Sequence, residues 1–425
     1  MYALLAARMR NRGSRLRGVV TDVRPLRVSA PYRRLFFGNA VAQLSQQMTA
    51  VTVAVQVYSL SDSSFAVGLI GAAALVPLLA LGLYGGAIAD AVDRRSLALT
   101  ASLGLWAVSI ALAFQALLGN TFVLVLYACV AAQAGFYAII APARNAMIAR
   151  LLPPEMLPAA SALNSAAMNL GFTVGPLGAV VMIQWGGFEA AYLLDAVAYL
   201  ASLYAVYRLP RMPPLEGSPR AGLRSVLDGL RFLRRSPNVA MTFVLDLCAM
   251  VLAQPRALFP ALAYKVYGGG VTAVGILQSA PAVGALLAFA FSGWVTRVRL
   301  HGVAVVISVV AYAVAVGAVG LTSLLWLAAV MLAFSGMADM VSATYRSTIL
   351  QVATPDQLRG RLQGVFIVVV AGGPRAGDFL AGSVATATGE RLALVAGGLA
   401  CVVAVVVAVS RRRSFLGYDA LRPMP

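Results

Sequence analysis

Twelve long apolar runs, separated by short loops, account for most of this 425-residue chain. An α-helix needs about 20 apolar residues to cross the hydrocarbon core of a bilayer. Only 11% of the residues are charged and 60% are hydrophobic, whereas about a quarter of the residues are charged in soluble domains. The runs therefore predict an all-α membrane protein with twelve transmembrane helices. The predicted spans are Leu35–Leu60, Phe65–Ala89, Leu97–Leu118, Thr121–Ala143, Pro158–Gln184, Gly187–Tyr207, Asn238–Tyr264, Thr272–Val295, Gly302–Leu321, Ser323–Leu350, Gly360–Thr388 and Arg391–Ser410.

Positive charge is concentrated on one side of these spans. Of the 33 lysines and arginines, 27 fall in the N-terminal tail, the 208–237 loop, the short loops on the same side and the C-terminal tail. The opposite side carries Lys265 and Arg391. Because basic loops face the cytoplasm, we expect a multi-pass membrane protein with both termini in the cytoplasm. The net charge of +18 is then a topology signal, with some attraction to anionic lipid, and we expect no nucleic-acid partner.

The basic loop divides the spans into two sets of six that resemble each other. The segment "PARNAMIARLLPPEMLPAASALN" is similar to "TYRSTILQVATPDQLRGRLQG", and the similarity aligns Arg144 with Arg346. Two six-helix repeats of the same orientation are one way to build a secondary transporter, with the substrate path between them. The predicted parts are a basic tail (1–34), a first bundle (35–207), a linker (208–237), a second bundle (238–410) and a C-terminal tail (411–425).

The loop after the second span carries a recognisable signature. It reads "GGAIADAVDRRS", in which Gly86, Asp90, Arg94 and Arg95 follow the pattern G-x-x-x-D-x-x-x-R-R/K. This pattern resembles the signature of the major facilitator superfamily. The resemblance implies the twelve-helix fold of that family and a gating role, in which the loop latches the two halves in the outward-facing state. The alternative is an ordinary basic loop.

The fifth span carries a second motif of the same family. It reads "GFTVGPLGAVV" and resembles G-x-x-x-G-P-x-x-G, the fifth-helix motif associated with exporters, except that one residue rather than two separates the proline from the last glycine. The residues concerned are Gly171, Gly175, Pro176 and Gly178. Small residues let two helices approach closely, and a proline removes one backbone hydrogen bond and bends the helix. Simple small-residue packing is the alternative interpretation.

Several ionisable and polar side chains lie inside predicted spans, mostly in the second half. A charge at the bilayer centre costs about 2.5–3.5 kcal/mol on insertion scales, so it persists where it faces the bundle interior and finds a partner. We interpret the set as a substrate and proton path in which arginines bind an anion and an acid exchanges protons. Structural ion pairs between helices are the alternative. The set is Asp246, Arg256, Asp339, Arg375 and Asp378, with Gln43 and Gln47 from the first span.

Other buried charges are expected to be structural or peripheral. Asp195 in the sixth span is the acid most consistent with a structural role. Arg144 and Arg346 lie near span ends, where we expect them to pair locally or with lipid headgroups. Arg375 and Asp378 are three residues apart and share a helix face. The neighbouring Gly372, Gly373, Pro374 and Gly377 predict a softened backbone, as in the broken helices of transporters.

The single lysine and the single histidine exclude several kinds of chemistry. Lys265 is followed by a valine, and a phosphate-binding loop needs Gly-Lys-Ser/Thr. His301 alone cannot build a histidine-based metal or triad site. We therefore expect no enzyme activity and no cofactor, with a proton gradient as the source of energy.

Within the superfamily the chain is similar to bacterial siderophore exporters of the enterobactin-exporter type. The similarity is carried by "LDLCAMVLAQPRALFPALAY", "GMADMVSATYRSTILQVATPDQLRGRLQGV" and "VAGGPRAGDFLAGSVA". It implies proton-coupled export of an amphipathic, anionic small molecule, such as a catecholate siderophore, across the bacterial cytoplasmic membrane. We expect the chain to act as a monomer. A broad-specificity multidrug exporter is the first alternative, and a non-transporting membrane scaffold is a remote one.

Overall fold

A computed structural model describes residues 22–213, 231–291, 293, 298–354 and 356–419, with the backbone alone for 83–91 and 356–368. Most of the N-terminal tail and of the linker therefore lies outside the described residues. Within them, a helix or a series of helical segments coincides with each predicted span. The helices are α1 (Ala30–Ser61), α2 (Ser64–Ala91), α3 (Arg94–Leu117), α4 (Val123–Leu151), α5 and α6 within Leu157–Tyr207, α7 (Pro237–Leu247, continued by short segments to Leu262–Val266), α8 (Gly270–Ala290), α9 (His301–Val319), α10 (Leu325–Ala353), α11 (Asp356–Thr388) and α12 (Glu390–Arg411).

Hydropathy agrees with the prediction for most of these helices. Nine stretches of the described residues are long and apolar enough to cross a bilayer, and they cover ten predicted spans because α5 and α6 form one stretch. The other two predicted spans coincide with α1 and α11, which carry four of the seven polar and ionisable side chains expected to face the interior.

Two glycines separate α5 from α6. Gly186 and Gly187 have non-helical backbone angles, and Gly187 has a φ of 71°, a value that glycine adopts without a steric cost. The chain therefore turns at this point without an intervening loop, in agreement with the predicted boundary between the fifth and sixth spans.

The break expected in the eleventh span occurs in the seventh instead. α11 is one helix from Asp356 to Thr388 that continues through Pro374. In α7, by contrast, the helix stops before Pro255 and resumes as a short 3₁₀ segment at Arg256. Proline disfavours a helical conformation in the residue before it and lacks an N–H donor. The glycines of α11 serve close packing instead, since a Cβ on Gly377 would meet the Met250 carbonyl of α7.

The helices of the two halves pair in the same order. In the first half α1 packs on α5, α2 on α4 and α3 on α6; in the second, α7 packs on α11, α8 on α10 and α9 on α12. The halves meet where α2 contacts α11 and where α5 contacts α8. A cross-half hydrogen bond at the second contact joins the Ser279 hydroxyl to the Thr173 carbonyl at 2.9 Å. This repeated pairing is what a duplicated six-helix unit produces, while the predicted domain limits remain a prediction.

The basic loops gather at one end of the bundle, here called the basic end. Arg150 donates to the Pro213 carbonyl at 2.6 Å, which joins the end of α4 to the start of the linker. The N-terminal segment lies here too, because Tyr32 donates to the Ala160 carbonyl at the start of α5. The C-terminal segment reaches the same end through a backbone bridge between Leu300 and Asp419. The described parts of both terminal segments therefore lie at one end.

Candidate functional site

In the second half, one arginine side chain contacts two carboxylates. Arg346 of α10 forms an ion pair with Asp246 of α7, and its Nη2 lies 3.5 Å from Asp339 Oδ1. Asp246 is buried, whereas the Asp339 side chain is 41% exposed although it sits midway along α10. The cluster therefore has a closed side at Asp246 and an accessible side at Asp339.

Arg256 lies in the space between the two halves. It follows the break in α7, and its guanidinium carbon is 5.7 Å from the ring centre of Phe172 on α5 of the other half. Among the described residues, no carboxylate forms an ion pair with Arg256. Its charge acts electrostatically on Asp339 and on Asp378. The arrangement leaves an exposed cation beside an aromatic ring, a pair that can hold an anionic, partly apolar molecule.

Arg375 and Asp378 share a face of α11 but do not form an ion pair with each other. The Arg375 guanidinium donates to the Ala371 carbonyl one turn back along its own helix. Asp378 Oδ1 is buried without a hydrogen-bond partner among the described residues. The Asp378 side chain lies against α2 of the first half, since a Cβ on Gly71 would come 3.1 Å from its Cβ, and the Arg375 backbone carbonyl approaches the same glycine. The structure thus brings the five predicted ionisable residues into one region, at the α7, α10 and α11 side of the boundary between halves.

The two predicted glutamines lie against the fifth-helix motif. A Cβ on Gly175 would come 2.7 Å from Gln47 Cβ, and one on Gly171 would come 3.4 Å from the Gln43 carbonyl oxygen. Gln43 Oε1 is buried without a partner among the described residues. Two of the motif glycines therefore allow close contact between α1 and α5, as the motif predicted.

The rest of the motif faces two other neighbours. Gly178 is next to Met48 of α1, and the Pro176 carbonyl oxygen lies 3.3 Å from where a Cβ on Gly275 of α8 would be. The motif thus packs α5 against a helix of each half. Its association with export stays a prediction.

The loop between α2 and α3 is held within the first half. Arg95 donates to the Tyr207 carbonyl at 2.7 Å and lies 5.7 Å from the centre of that ring. The Arg94 N–H donates to the Met212 carbonyl at 3.1 Å. These contacts join the loop to the end of α6 and to the segment that follows it. The side chains of Gly86 and Asp90 lie outside the described residues, and the gating role of the loop stays a prediction.

Asp93, which was not singled out, organises the same loop. It caps α3 by accepting from Ser96 N at 2.8 Å, and it accepts from Met212 N at 2.7 Å. Partial burial opposes ionisation of this carboxyl, but the hydrogen bonds from Ser96, Met212 and Arg95 together outweigh that effect and lower its pKa.

Asp195 has the structural environment expected for it. It is fully buried, and it accepts hydrogen bonds from Ser45 of α1 and, at 2.6 Å, from Ser109 of α3. The carboxylate therefore joins three helices of the first half. Arg144 is also buried and donates to Ser202 of α6 at 3.0 Å, so its partner lies on another helix of the first half rather than nearby in sequence or in the lipid headgroups.

A second group of contacts joins the halves at the end opposite the basic end. Lys265 Nζ lies 3.3 Å from Asp62 Oδ1 and 5.6 Å from the ring centre of Tyr58. Tyr58 stacks on Tyr264, with ring centres 5.7 Å apart. Nearby, Ser64 donates to Glu390 at 2.9 Å. Residues of α1, of the loop after it and of α2 are thereby held against α7 and α12.

The contacts of two residues near the ionisable cluster, Arg346 and Phe172, were not predicted from the sequence. The sequence placed Arg346 with lipid headgroups or local partners; it does approach Asp339 on its own helix, but it also pairs with Asp246 on α7, which was not expected. Its alignment with Arg144 marked the position without revealing the partner. Phe172 gave no signal, since it stands inside the glycine motif and resembles an ordinary apolar side chain.

Comparison of the sequence with known proteins identifies its family. The family model described as transmembrane secretion effector matches residues 20–419. The chain is 28% identical over 362 residues to the protein called enterobactin exporter EntS in Citrobacter koseri, which covers 84% of this chain and 86% of the relative. The protein of the same name in Escherichia coli O139:H28 has the same identity and coverage.

Solved structures share the fold at low sequence identity. A mutant form of the nucleoside transporter NupG matches with a TM-score of 0.73 and 12% identity, covering 90% of this chain and 100% of the other. A POT family transporter in complex with 5-aminolevulinic acid matches with a TM-score of 0.74 and 13% identity, covering 91% and 97%. With the family match spanning nearly the whole chain, this protein belongs to the transmembrane secretion effector family of major facilitator superfamily transporters.

Proposed function

We propose that this chain exports an amphipathic, anionic, siderophore-like small molecule across the bacterial cytoplasmic membrane in exchange for protons. The relatives named as enterobactin exporters suggest the substrate class and the direction. Arg256 and Arg375 would hold the anion, with Asp246, Asp339 or Asp378 as the proton carrier, and Gln43 and Gln47 would line the path from the first half.

The observation that carries this proposal is the environment of Arg256. An arginine inside a membrane bundle is costly and is normally neutralised by an acid. Arg256 is instead exposed, has no ion pair among the described residues, and faces Phe172 across the boundary between halves. An anionic group with an attached apolar body would pair with the guanidinium and pack on the ring.

The contacts at the end opposite the basic end support alternating access. With the basic end in the cytoplasm, the Asp62–Lys265 pair and the Tyr58–Tyr264 stack would close the outer side of the path. The conformation would then accept substrate from the cytoplasm, as the first step of export. In the outward-facing state these contacts would separate, and the loop with Gly86, Asp90, Arg94 and Arg95 would hold the halves together at the basic end.

Inside-out membrane vesicles that contain the chain test this proposal with enterobactin as the probe. An acidic lumen should drive enterobactin into the vesicles, and a protonophore should abolish its accumulation. Arg256→Ala should lower accumulation by about tenfold or more, because a hydrogen bond to a charged group contributes about 1.5–3 kcal/mol. Arg375→Ala should cause a similar loss while leaving membrane insertion intact.

Arg208→Ala is the matched control. Arg208 also lies over an aromatic ring, 5.5 Å from the centre of Tyr204, but it follows α6 rather than facing the other half. Its removal should leave uptake unchanged. Uptake by Arg256→Ala at the level of the unmodified chain would remove Arg256 from the path, and no gradient-driven uptake by the unmodified chain would reject the substrate assignment.

A broad multidrug exporter remains the second candidate, because one observation favours it. Arg346 contacts two of the three acids, so part of their charge is already compensated within the protein. The same vesicles, given ethidium in the outer solution, distinguish the two candidate functions. If this hydrophobic cation accumulates, and accumulates equally in Arg256→Ala, the multidrug function is favoured. If enterobactin is taken up and its uptake depends on Arg256, the anion exporter is favoured.

A further inference from the structure

Arg346 differs from the other arginines of the region in what it contacts. One nitrogen pairs with Asp246, which is 5% exposed, and another approaches Asp339, whose side chain is 41% exposed. Arg346 itself is largely buried, with 13% of its side chain exposed. A single rigid guanidinium therefore connects a fixed, enclosed acid on α7 to an accessible acid on α10.

Helix geometry explains why Arg346 reaches Asp339. Residues 339 and 346 are two turns apart on the same face of α10, and side chains of a helix lean toward its N-terminus. The arginine therefore extends back along α10 toward the acid. A planar guanidinium offers several donors in a fixed fork, whereas a lysine ammonium is a point charge and does not hold two carboxylates in one geometry.

We propose that Arg346 is a positioning residue, anchored on Asp246, that holds the accessible Asp339 carboxylate for the proton-exchange step of transport. This inference rests on the proposed proton-coupled function. Substrate contact stays with Arg256, and Arg346 acts only through Asp339. The same guanidinium joins α7 to α10 and orients Asp339. Protonation of Asp339 is thereby coupled to the packing of these two helices.

The alternative is that the Arg346–Asp246 pair only holds two helices together. Removal of one partner cannot separate these roles, because it leaves a buried charge unpaired and the chain then folds poorly. The double variant Asp246→Asn/Arg346→Gln removes both charges and keeps polar side chains of similar size. Arg144→Gln, at the aligned position in the first half, is the matched control, since Arg144 contacts only Ser202 through a described side-chain bond.

Two transport measurements on equal amounts of folded protein test the positioning role. Gradient-driven accumulation of enterobactin should fall by about tenfold or more in the double variant. Exchange at equal concentration on both sides needs no net proton transfer, so Arg346→Lys, which keeps a positive charge beside Asp246, should exchange at a rate within about twofold of the unmodified chain while its accumulation is several-fold lower. Arg144→Gln should behave as the unmodified chain in both measurements. Accumulation retained by the double variant, or exchange lost together with accumulation in Arg346→Lys, would overturn the proposal.

A third measurement does not depend on the substrate. A hydrophobic carbodiimide reacts with accessible carboxyl groups, and mass spectrometry of the Asp339 peptide reports the reaction at that residue. Reaction at Asp339 should be several-fold faster in the double variant than in the unmodified chain or in Arg144→Gln. Equal rates would overturn the proposal even where enterobactin is transported. A faster rate in a chain that transports no enterobactin would uphold the contact and reject only the proposed substrate.

Discussion

The two halves place equivalent arginines in different surroundings. Arg144 of α4 and Arg346 of α10 occupy matching positions of the duplicated sequence. In the first half the arginine donates to a serine hydroxyl, and in the second it pairs with two carboxylates. The same position in the repeat therefore serves a neutral contact in one half and a charged cluster in the other.

The buried acids show the same difference. Asp195 is enclosed by serine hydroxyls of α1 and α3, whereas Asp246 is enclosed with a guanidinium. A buried ion pair contributes little net stability compared with an apolar replacement. The hydroxyl-lined first half thus resembles a scaffold, and we infer that the charges of the second half are kept for transport rather than for stability.

The largest expected effect tests whether the two equivalent arginines contribute differently to stability. Arg346→Gln should destabilise the protein by about 3–5 kcal/mol, because it leaves Asp246 buried without a compensating charge. Arg144→Gln should change stability by only about 1 kcal/mol, the usual contribution of one hydrogen bond. Unfolding of the purified proteins in detergent, followed by intrinsic fluorescence against denaturant, measures both. Equal losses would show that the two arginines are equivalent after all.

The acids provide the next test. Asp195→Asn should cost about 1–3 kcal/mol, since one of the two serine hydroxyls would face an amide group in place of a carboxylate oxygen. Its gradient-driven transport per folded molecule should be unchanged. Asp339→Asn should show the opposite result, with near-normal stability and transport reduced by about tenfold or more. Denaturant unfolding and vesicle uptake on the same preparations compare the pair, and a loss of transport in Asp195→Asn would contradict the division between scaffold and machinery.

The sequence predicted most of the fold for a simple physical reason. A bilayer requires long apolar helices, and their number, their approximate limits and the side on which the basic loops lie all follow from linear patterns. The α5–α6 boundary was marked by consecutive glycines at Gly186 and Gly187. The break in α7 was also readable, because Pro255 disfavours a helical residue before it. The glycines around Pro374 gave a stronger but misleading signal.

The site was predictable in its composition and less so in its contacts. The rule that intramembrane charges face the interior identified Asp246, Arg256 and Asp339. Which side chains pair depends on how helices far apart in sequence are rotated, and no local pattern records that rotation. The local partner expected for Arg346 is present as Asp339, but its closer partner on α7, Asp246, was not predicted. Phe172 was missed because an aromatic side chain in a membrane helix is unremarkable until a cation is found beside it.

Helix packing offers a smaller effect that sharpens the same comparison. A Cβ on Gly284 of α8 would overlap the Ala333 carbonyl of α10, whereas a Cβ on Gly135 of α4 would lie 3.0 Å from the end of the flexible Leu81 side chain. Gly284→Ala should therefore destabilise the protein by about 1–3 kcal/mol, the usual cost of overpacking. Gly135→Ala should cost less than about 1 kcal/mol, since a side chain can move where a backbone cannot. Denaturant unfolding of the two variants compares them, and a costlier Gly135→Ala would reverse the assignment of the more rigid contact.

The smallest expected effect concerns the N-termini of α3 and α9, which follow equivalent loops in the two halves. Asp93 caps α3 through Ser96 N, whereas α9 begins after Leu300 with no side-chain cap. Asp93→Ala should cost about 0.5–2 kcal/mol, the usual value of an N-cap, and Leu300→Ala should remove no cap.

The Asp93 contribution should also depend on pH. Because the pKa of Asp93 is lowered in the folded protein, its contribution is present above the unfolded pKa of about 3.9 and is lost as the pH falls through the lower folded value. Unfolding measured between about pH 7 and pH 3 should show the gap between Asp93→Ala and the unmodified chain narrowing below about pH 4. A gap that stays constant over this range would mean that Asp93 stabilises the loop through its shape rather than its charge, and the cap of α3 would then differ from the start of α9 in packing alone.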